Sequence, residues 1–353
     1  MSNITQVDKN FKIETTIEKE DIKFYDVKQE PFKVYGLIYE DGFRRMPSEV
    51  AKSVSTGTLW LHAMAAGGRV RFKTNSPYIA INAKLSHVSK MSHFAFTGSI
   101  GFDMYLDERE NGKGLRYIKT FVPPQDISDS YEGVADCGNG EMREWVIHLP
   151  LYTAVEELYI GLSETAEIEP CTPYKVEKPV VYYGSSITQG GCASRPGNCY
   201  QNVVSRRLDV NHVNLGFSGS ARGEDAMTDY IKGLDMSAFV LDYDHNSPTA
   251  ETLQETHEKM FKAVREAHPE LPIIIMERPK HYLTPSELKR CDIIRATYDN
   301  AIKNGDKNVY YLDHKQLTEL SGDEGNVDYN HPNDFGFYSM AKAVGDVLEE
   351  IFK

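Results

Sequence analysis

Asp328 and His331 stand three residues apart in Asp328-Tyr329-Asn330-His331-Pro332, a spacing that lets one short loop present an imidazole together with the carboxylate that orients it. Far upstream, the apolar run Pro179-Val180-Val181-Tyr182-Tyr183 ends in Gly184-Ser185-Ser186-Ile187-Thr188, a tight turn that offers a hydroxyl. A serine hydroxyl is a poor nucleophile at neutral pH; a histidine that takes its proton, itself held by a carboxylate, turns it into a good one. The chemistry is acyl transfer through a covalent serine ester, with Ser186 as candidate nucleophile, His331 as general base and Asp328 as its orienting group. Ser185 competes with Ser186 for the first role. Each piece also has a plainer reading: a capping pair on the surface for Asp328 and His331, an ordinary turn for the serines.

These residues need a scaffold that gathers distant segments. Apolar runs at Val180 to Tyr183, His212 to Leu215, Ala238 to Tyr243, Ile273 to Met276 and Val309 to Leu312 alternate with helical patterns at Tyr200 to Leu208, Thr252 to Glu266, Pro285 to Lys303 and Phe335 to Phe352. Strict alternation of strand and helix predicts a parallel sheet covered on both faces. In such a sheet ligands collect at the carboxyl ends of the strands, where the Ser186 turn and the Asp328/His331 loop both belong.

The first half reads differently. Phe32 to Gly36, Arg69 to Lys73, Tyr78 to Ala83, Phe102 to Leu106 and Trp145 to Leu149 are short alternating runs, separated by turn formers such as Gly67-Gly68, Asn75-Ser76-Pro77 and Asn111-Gly112. That pattern predicts an all-β sandwich. A polar connector with Pro170 and Pro173 falls between Ser163 and Lys178, dividing the chain into domains 1–172 and 173–353. Trp60, Tyr105 and Trp145 are expected as core aromatics, and Asp103 and Tyr105 as supports of the domain interface. Arg278 and His245 fall near strand ends, either as solvated surface groups or within reach of substrate.

Four blocks of the second half resemble the SGNH (GDSL-like) hydrolase superfamily: Gly184-Ser185-Ser186-Ile187, Asn214-Leu215-Gly216-Phe217-Ser218-Gly219, Asp242-Tyr243-Asp244-His245-Asn246, and Asp328 to Pro332. Gly101-Phe102-Asp103-Met104-Tyr105 is similar to the Gly-x-Asp-Leu-Tyr signature of an N-terminal domain found in one branch of these esterases. The resemblance implies an α/β, flavodoxin-like parallel sheet flanked by helices, preceded by a jelly-roll-like β-sandwich. It further implies an oxyanion hole made by the backbone N–H groups of Ser186 and Gly219 and the side-chain amide of Asn246. Two positions depart from the family pattern: Ser185 replaces the aspartate of Gly-Asp-Ser, and His245 precedes Asn246 where Gly-x-Asn-Asp is usual. Gly219 reads equally as a turn glycine, and Asn246 as a cap for the helix that starts near Thr249.

Composition bounds the partners. The chain has 353 residues, a net charge of −13 and no basic stripe interleaved with aromatics, which argues against nucleic acid. No stretch reaches the ~20 apolar residues of a membrane span. The polar N-terminus Met1 to Gln6 has no apolar leader core, so the expectation is a cytoplasmic protein, or a secreted one if a signal has been removed. Five cysteines without CxxC spacing, and no His-Glu-x-x-His, predict reduced thiols, no metal and no cofactor; Cys192 and Cys199 lie close enough in sequence to pair in an oxidising setting.

The leading expectation is a serine esterase that removes short acyl groups, with acetyl groups on carbohydrate preferred by analogy with the family's β-sandwich members. Its partner would be a small-molecule or oligosaccharide ester; the sequence sets no oligomeric state. An acyltransferase using the same three residues and a catalytically inactive carbohydrate-binding protein are the alternatives.

Overall fold

A computed structural model describes residues 13–138 and 140–353; the Met1 to Gln6 stretch lies outside the described residues. The second half holds five parallel strands, Val176–Gly184, Val210–Gly216, Ala238–Asp242, Ile273–Met276 and Val309–Leu312, in the spatial order second, first, third, fourth, fifth. Val180, Val181, Tyr182 and Tyr183 are all fully buried, as a strand covered on both sides requires. Neighbouring residues of a strand face opposite ways. Tyr182 meets Tyr200 of helix Tyr200–Leu208, whereas Tyr183 meets Tyr243, which in turn stacks on His257 of helix Ala250–Ala267. Helices therefore close both faces, as the alternation predicts.

The strand order places a topological switch at the first strand, whose neighbours, the second and third strands, are reached by connections running in opposite directions. Crevices at the carboxyl ends of strands open at such a switch. The Ser186 turn leaves the sheet there.

The N-terminal half is built on two large antiparallel sheets, beside a small hairpin of Ile38–Tyr39 and Phe43–Arg44. One runs Ile22–Asp26, Ala154–Ser163, Tyr78–Ser86, Ser130–Asp136; the other runs Ile168–Glu169, Arg69–Thr74, Arg143–His148, Phe102–Asp107, Leu115–Phe121, with Lys33–Tyr35 also on Arg69–Thr74. Their inner faces share one core, Phe72, Met104, Trp145 and Ile147 against Ile79, Ile81, Leu158 and Ile160. Burying each such side chain contributes about 1.5–3 kcal/mol. Two short helices, Ser48–Val54 and Thr56–Leu61, interrupt the expected run of strands. Trp60 is not a core residue: it is 53% exposed and stacks on His87 with ring centroids 3.9 Å apart. Tyr105 and Trp145 are buried, as expected.

The two halves are packed together. Met46, Leu61, Met64, Phe94, Leu151 and Tyr152 belong to the same apolar cluster as the parallel sheet. Arg69 donates to Asn211 Oδ1 at 2.6 Å and to the His212 carbonyl at 3.1 Å. The connector is held as well, because Tyr174 lies beneath the guanidinium of Arg71, 4.2 Å from its ring centre.

Candidate active site

Gly184 ends the first parallel strand where no side chain fits: a Cβ there would lie 2.2 Å from the Asp242 carbonyl and 2.0 Å from Thr188 Oγ1. The chain turns at once into helix Ser186–Gln189, capped by Ser185, whose hydroxyl accepts the Ile187 N–H at 3.2 Å. Ser185 is fully buried. It ties down the turn, and the hydroxyl free to react is that of Ser186.

Ser186 Oγ lies 3.0 Å from His331 Nε2, and His331 Nδ1 lies 2.8 Å from Asp328 Oδ2. The other oxygen of Asp328 accepts the backbone N–H of His331 at 2.8 Å and of Asn330 at 3.1 Å. Burial raises the Asp328 pKa, but these donors and the imidazole outweigh it and hold the carboxyl below its ordinary range. With Asp328 ionised at Nδ1, the proton-accepting nitrogen of a neutral imidazole is Nε2, which faces the serine. The three residues form one hydrogen-bonded line across two segments 142 residues apart, counted from Ser186 to Asp328.

The surrounding elements hold that line. Asn333 caps helix Asp334–Ile351 by accepting the Phe335 and Gly336 N–H groups, which fixes the end of the His331 loop. Lys280 Nζ sits 3.7 Å from the centre of the Tyr329 ring. The Asp334 carboxylate reaches back to the Ser194 N–H and Asn198 Nδ2, both at 2.8 Å, and so fastens the segment that follows the serine helix. The Tyr152 hydroxyl, from the N-terminal half, donates to the Ser186 carbonyl at 3.2 Å.

Gly219 lies in the turn after the second strand with φ +70°, in open space. Ser218 beside it donates its N–H to Gln189 Oε1 at 3.0 Å, so the serine helix positions this turn directly. Asn246 ends a 3-10 turn, Asp244–Asn246, after the third strand. It is not the cap of the following helix; Thr249 is, accepting the Thr252 N–H at 3.1 Å. Among the described residues the backbone N–H groups of Ser186 and Gly219 make no hydrogen bond, and Asn246 Oδ1 is buried without a partner. Two backbone donors and the Asn246 side chain thus stand at neighbouring strand ends, although no hydrogen bond joins Gly219 or Asn246 to the serine.

Arg278 and His245 are neither solvated nor free for substrate. Arg278 makes two contacts of 2.8 Å with Asp244 and one of 2.9 Å with Glu287, and His245 Nδ1 sits 2.9 Å from Asp244 Oδ1. Burial pushes the Asp244 pKa up; the neighbouring His245 and Arg278 outweigh it and hold the carboxyl far down. This buried ion cluster pins the Asn246 turn.

Several residues outside the hydrogen-bonded line support it. Asp242 is buried beneath the serine helix and accepts from Thr188 at 2.8 Å and Tyr200 at 3.2 Å; burial pushes its pKa up to about 8, which keeps it protonated at neutral pH. Asp103, fully buried, accepts from Arg195 Nη1 at 2.8 Å, the Gly197 N–H at 3.0 Å and His148 Nδ1 at 3.0 Å. Arg195 also donates to the Tyr105 hydroxyl. The Gly101 to Tyr105 signature is therefore a clasp between the halves, and Gly197 is the residue that lets it close, since a Cβ there would sit 2.6 Å from both Asp103 and Tyr105.

Two family models match the chain. Residues 177–349 match the GDSL-like lipase/acylhydrolase family, and residues 22–168 match the N-terminus of SGNH-hydrolase-type esterases. This chain belongs to the GDSL-like lipase/acylhydrolase family, in the branch that carries that N-terminal region. Among curated proteins none matches. A solved structure designated a GDSL-like lipase from Bacteroides ovatus superposes with a TM-score of 0.83 at 27% identity, over 94% of this chain and 98% of that one. A salicylyl-acyltransferase from a tetracycline biosynthetic pathway superposes at 0.76 with 18% identity, over 95% and 98%. A family two carbohydrate esterase from Clostridium thermocellum, in complex with cellohexaose, superposes at 0.58 with 13% identity, over 81% and 93%. At such identities the last two share the fold.

Proposed function

We propose that the protein is a serine esterase that removes short acyl groups, O-acetyl groups on carbohydrate above all, through a covalent acyl-enzyme. The observation that carries this is the line from Ser186 Oγ through His331 to Asp328, at 3.0 and 2.8 Å. Ser186 attacks the ester carbonyl while His331 Nε2 takes its proton; the imidazolium, stabilised by Asp328, returns that proton to the departing alcohol. Water, deprotonated by the same nitrogen, then releases the acid. Negative charge on the carbonyl oxygen is met by the N–H groups of Ser186 and Gly219 and the Asn246 amide, donors in place before the reaction starts.

The carbohydrate preference is supported by the carbohydrate esterases among the structural neighbours, one of them bound to cellohexaose, and fold alone does not fix substrate. The acyltransferase reading uses the same three residues and differs in whether an alcohol or water takes the acyl group. An inactive binding protein is disfavoured, because an intact hydrogen-bonded line with unpaired donors beside it serves no purpose in binding alone. The deciding experiment is acetate release from a panel of acetylated oligosaccharides, beside p-nitrophenyl esters of increasing chain length, with and without an added alcohol. Acetate as the main product supports the esterase. A dominant transfer product would establish the transferase, and no turnover of any ester would defeat both.

A further inference from the structure

Beside the Ser186 line stand two side chains that acyl transfer does not require, gathered around its histidine. His93, Cys192 and His331 come from three separate segments, and their ligand atoms all lie within 4.8 Å of one another. His93 is exposed, in the turn between strand Tyr78–Ser86 and helix Phe96–Ser99 of the N-terminal half, and its ring centre is 5.6 Å from that of His331. Cys192 is buried just past the serine helix.

The approach of these segments is built in. Thr97 Oγ1 donates to the Ser194 carbonyl at 2.6 Å, and Gly98 lies so close to the Ala193 carbonyl that a Cβ there would be 1.9 Å from it. Cys192 itself holds φ at +76°, a left-handed conformation that costs a non-glycine residue about 1–2 kcal/mol. Strain of this kind persists where the surroundings over-determine it.

We propose that His93, Cys192 and His331 form an inhibitory site for a zinc-class divalent ion. Two imidazoles and a thiolate are the donor set that such borderline ions prefer. Zinc–nitrogen bonds of about 2.0–2.1 Å and a zinc–sulfur bond of about 2.3 Å put tetrahedral ligand atoms roughly 3.4–3.6 Å apart. The 4.8 Å limit on the observed spread closes to that by about 1 Å of movement shared among the three side chains, of which His93 is exposed. His331 Nδ1 is held by Asp328, so the ion takes Nε2, using the lone pair that Ser186 otherwise engages. Metal binding and proton abstraction from Ser186 are then mutually exclusive. Coordination displaces the thiol proton of Cys192 to solvent, and no electron changes hands. The fourth position is left to water.

The inhibitory effect rests on His331 being the general base; the binding does not, so the two are read separately on the full chain. Cobalt(II) titration should show one ion per chain and a thiolate-to-cobalt charge-transfer band in the near ultraviolet, lost in Cys192→Ser. Absence of that band, or its survival in Cys192→Ser, overturns the site. Zinc should reversibly abolish hydrolysis of an aryl acetate, with chelator restoring it. His93→Gln and Cys192→Ser should keep metal-free turnover and raise the half-inhibitory zinc concentration by at least about tenfold, the lower end of what loss of even a supporting group costs a metal site. Equal zinc sensitivity in His93→Gln, whose side chain is exposed and dispensable for folding, would refute the assignment, as would activation by zinc. If the enzyme hydrolyses no ester, the cobalt band still reports the site, and it is the esterase reading that has failed.

Discussion

Asp103, in the N-terminal half, and Arg195, six residues beyond the serine helix, meet at 2.8 Å with Asp103 wholly buried. Burial alone would raise the Asp103 pKa, but His148 and Arg195 outweigh it and hold the carboxyl down. Removing one partner of a buried pair leaves the other uncompensated, which typically costs about 3–5 kcal/mol. Arg195 is partly exposed, so Asp103→Asn should fall at the lower end, about 3 kcal/mol. Urea unfolding checks this, and a change under about 1 kcal/mol would show that the clasp contributes little.

The Ser186 assignment separates the two adjacent serines. Ser186→Ala should fold normally and lose essentially all ester hydrolysis. Ser185→Ala removes a cap, costing about 1 kcal/mol, and should retain most activity. Losses from Ser186→Ala, Asp328→Ala and His331→Ala should be strongly non-additive, since the three act as a unit. A fluorophosphonate probe that labels Ser185, or neither serine, would contradict the assignment.

Much of this architecture is legible in the residues. Five apolar runs and a glycine-serine turn give the parallel sheet and the edge that carries the turn, because a strand buried on both faces must be largely apolar. Other elements escaped. Leu115–Phe121 lies at a sheet edge with a single buried residue, Phe121, so no alternation marks it, and Thr56–Leu61 is too short to display a helical period. Trp60 reads as core from its type alone and is held outward by the fold. The His93, Cys192, His331 group lay beyond any spacing rule, since its members are brought together only when the two halves dock. Arg278 reads as a surface group for a different reason: Asp244 becomes its neighbour only where the third and fourth strands end side by side.

Asn246 and Gly219 should respond differently to alanine. Asn246→Ala removes a side-chain donor and leaves the helix cap, Thr249, intact; kcat should fall about 100-fold or more with little change in melting temperature. Gly219→Ala keeps the backbone N–H and meets no neighbour within 4 Å, but must hold φ +70°, so it should cost about 1 kcal/mol of stability and only a modest fraction of kcat. Equal kinetic losses in the two variants would mean that the side-chain amide plays no special part.

His257 should lower stability on mild acidification, against the opposite pull of Asp242, whose raised pKa lets the folded chain bind a proton that the unfolded chain does not as pH falls from about 8. His257 is buried with Nδ1 2.8 Å from Thr297 Oγ1, and burial, only partly offset by Asp244 and Glu258, pushes its pKa down from 6.5 to about 4. Below pH 6.5 the unfolded chain therefore takes up a proton that the folded chain refuses. The contribution is complete above pH 6.5 and is lost as pH falls toward 4, amounting to about 3 kcal/mol at ~1.4 kcal/mol per pH unit. His212, driven down by burial and then by Arg69, acts in the same direction. Between pH 7 and 4 the unfolding free energy of the parent should fall by about 3 kcal/mol relative to that of His257→Gln; parallel pH profiles would remove His257 as the cause.

Arg45 tests whether the N-terminal half shapes the candidate oxyanion turn. It is buried, has no carboxylate partner among the described residues, and donates to the carbonyls of Gly216 and Leu61, the latter at 2.6 Å, with its guanidinium 4.4 Å from the centre of the Phe217 ring. Carbonyl dipoles and a ring face take the place of a counter-ion, though burial still pulls its pKa down to about 9. Replacing a buried charge by an apolar group can stabilise a protein. Here the replacement would take a donor from the Leu61 carbonyl, which keeps the Met64 N–H at 3.1 Å, and from the Gly216 carbonyl; a carbonyl left unpaired costs about 1–3 kcal/mol, and the chain at Gly216 leads directly to Gly219. Arg45→Met should therefore lower stability by about 2 kcal/mol and reduce kcat more than it raises KM, because what loosens is a donor to the transition state rather than a substrate contact. Thermal melts with steady-state kinetics on an aryl acetate measure both, and a variant with parental melting temperature and kcat would show that the turn keeps its shape without the other half.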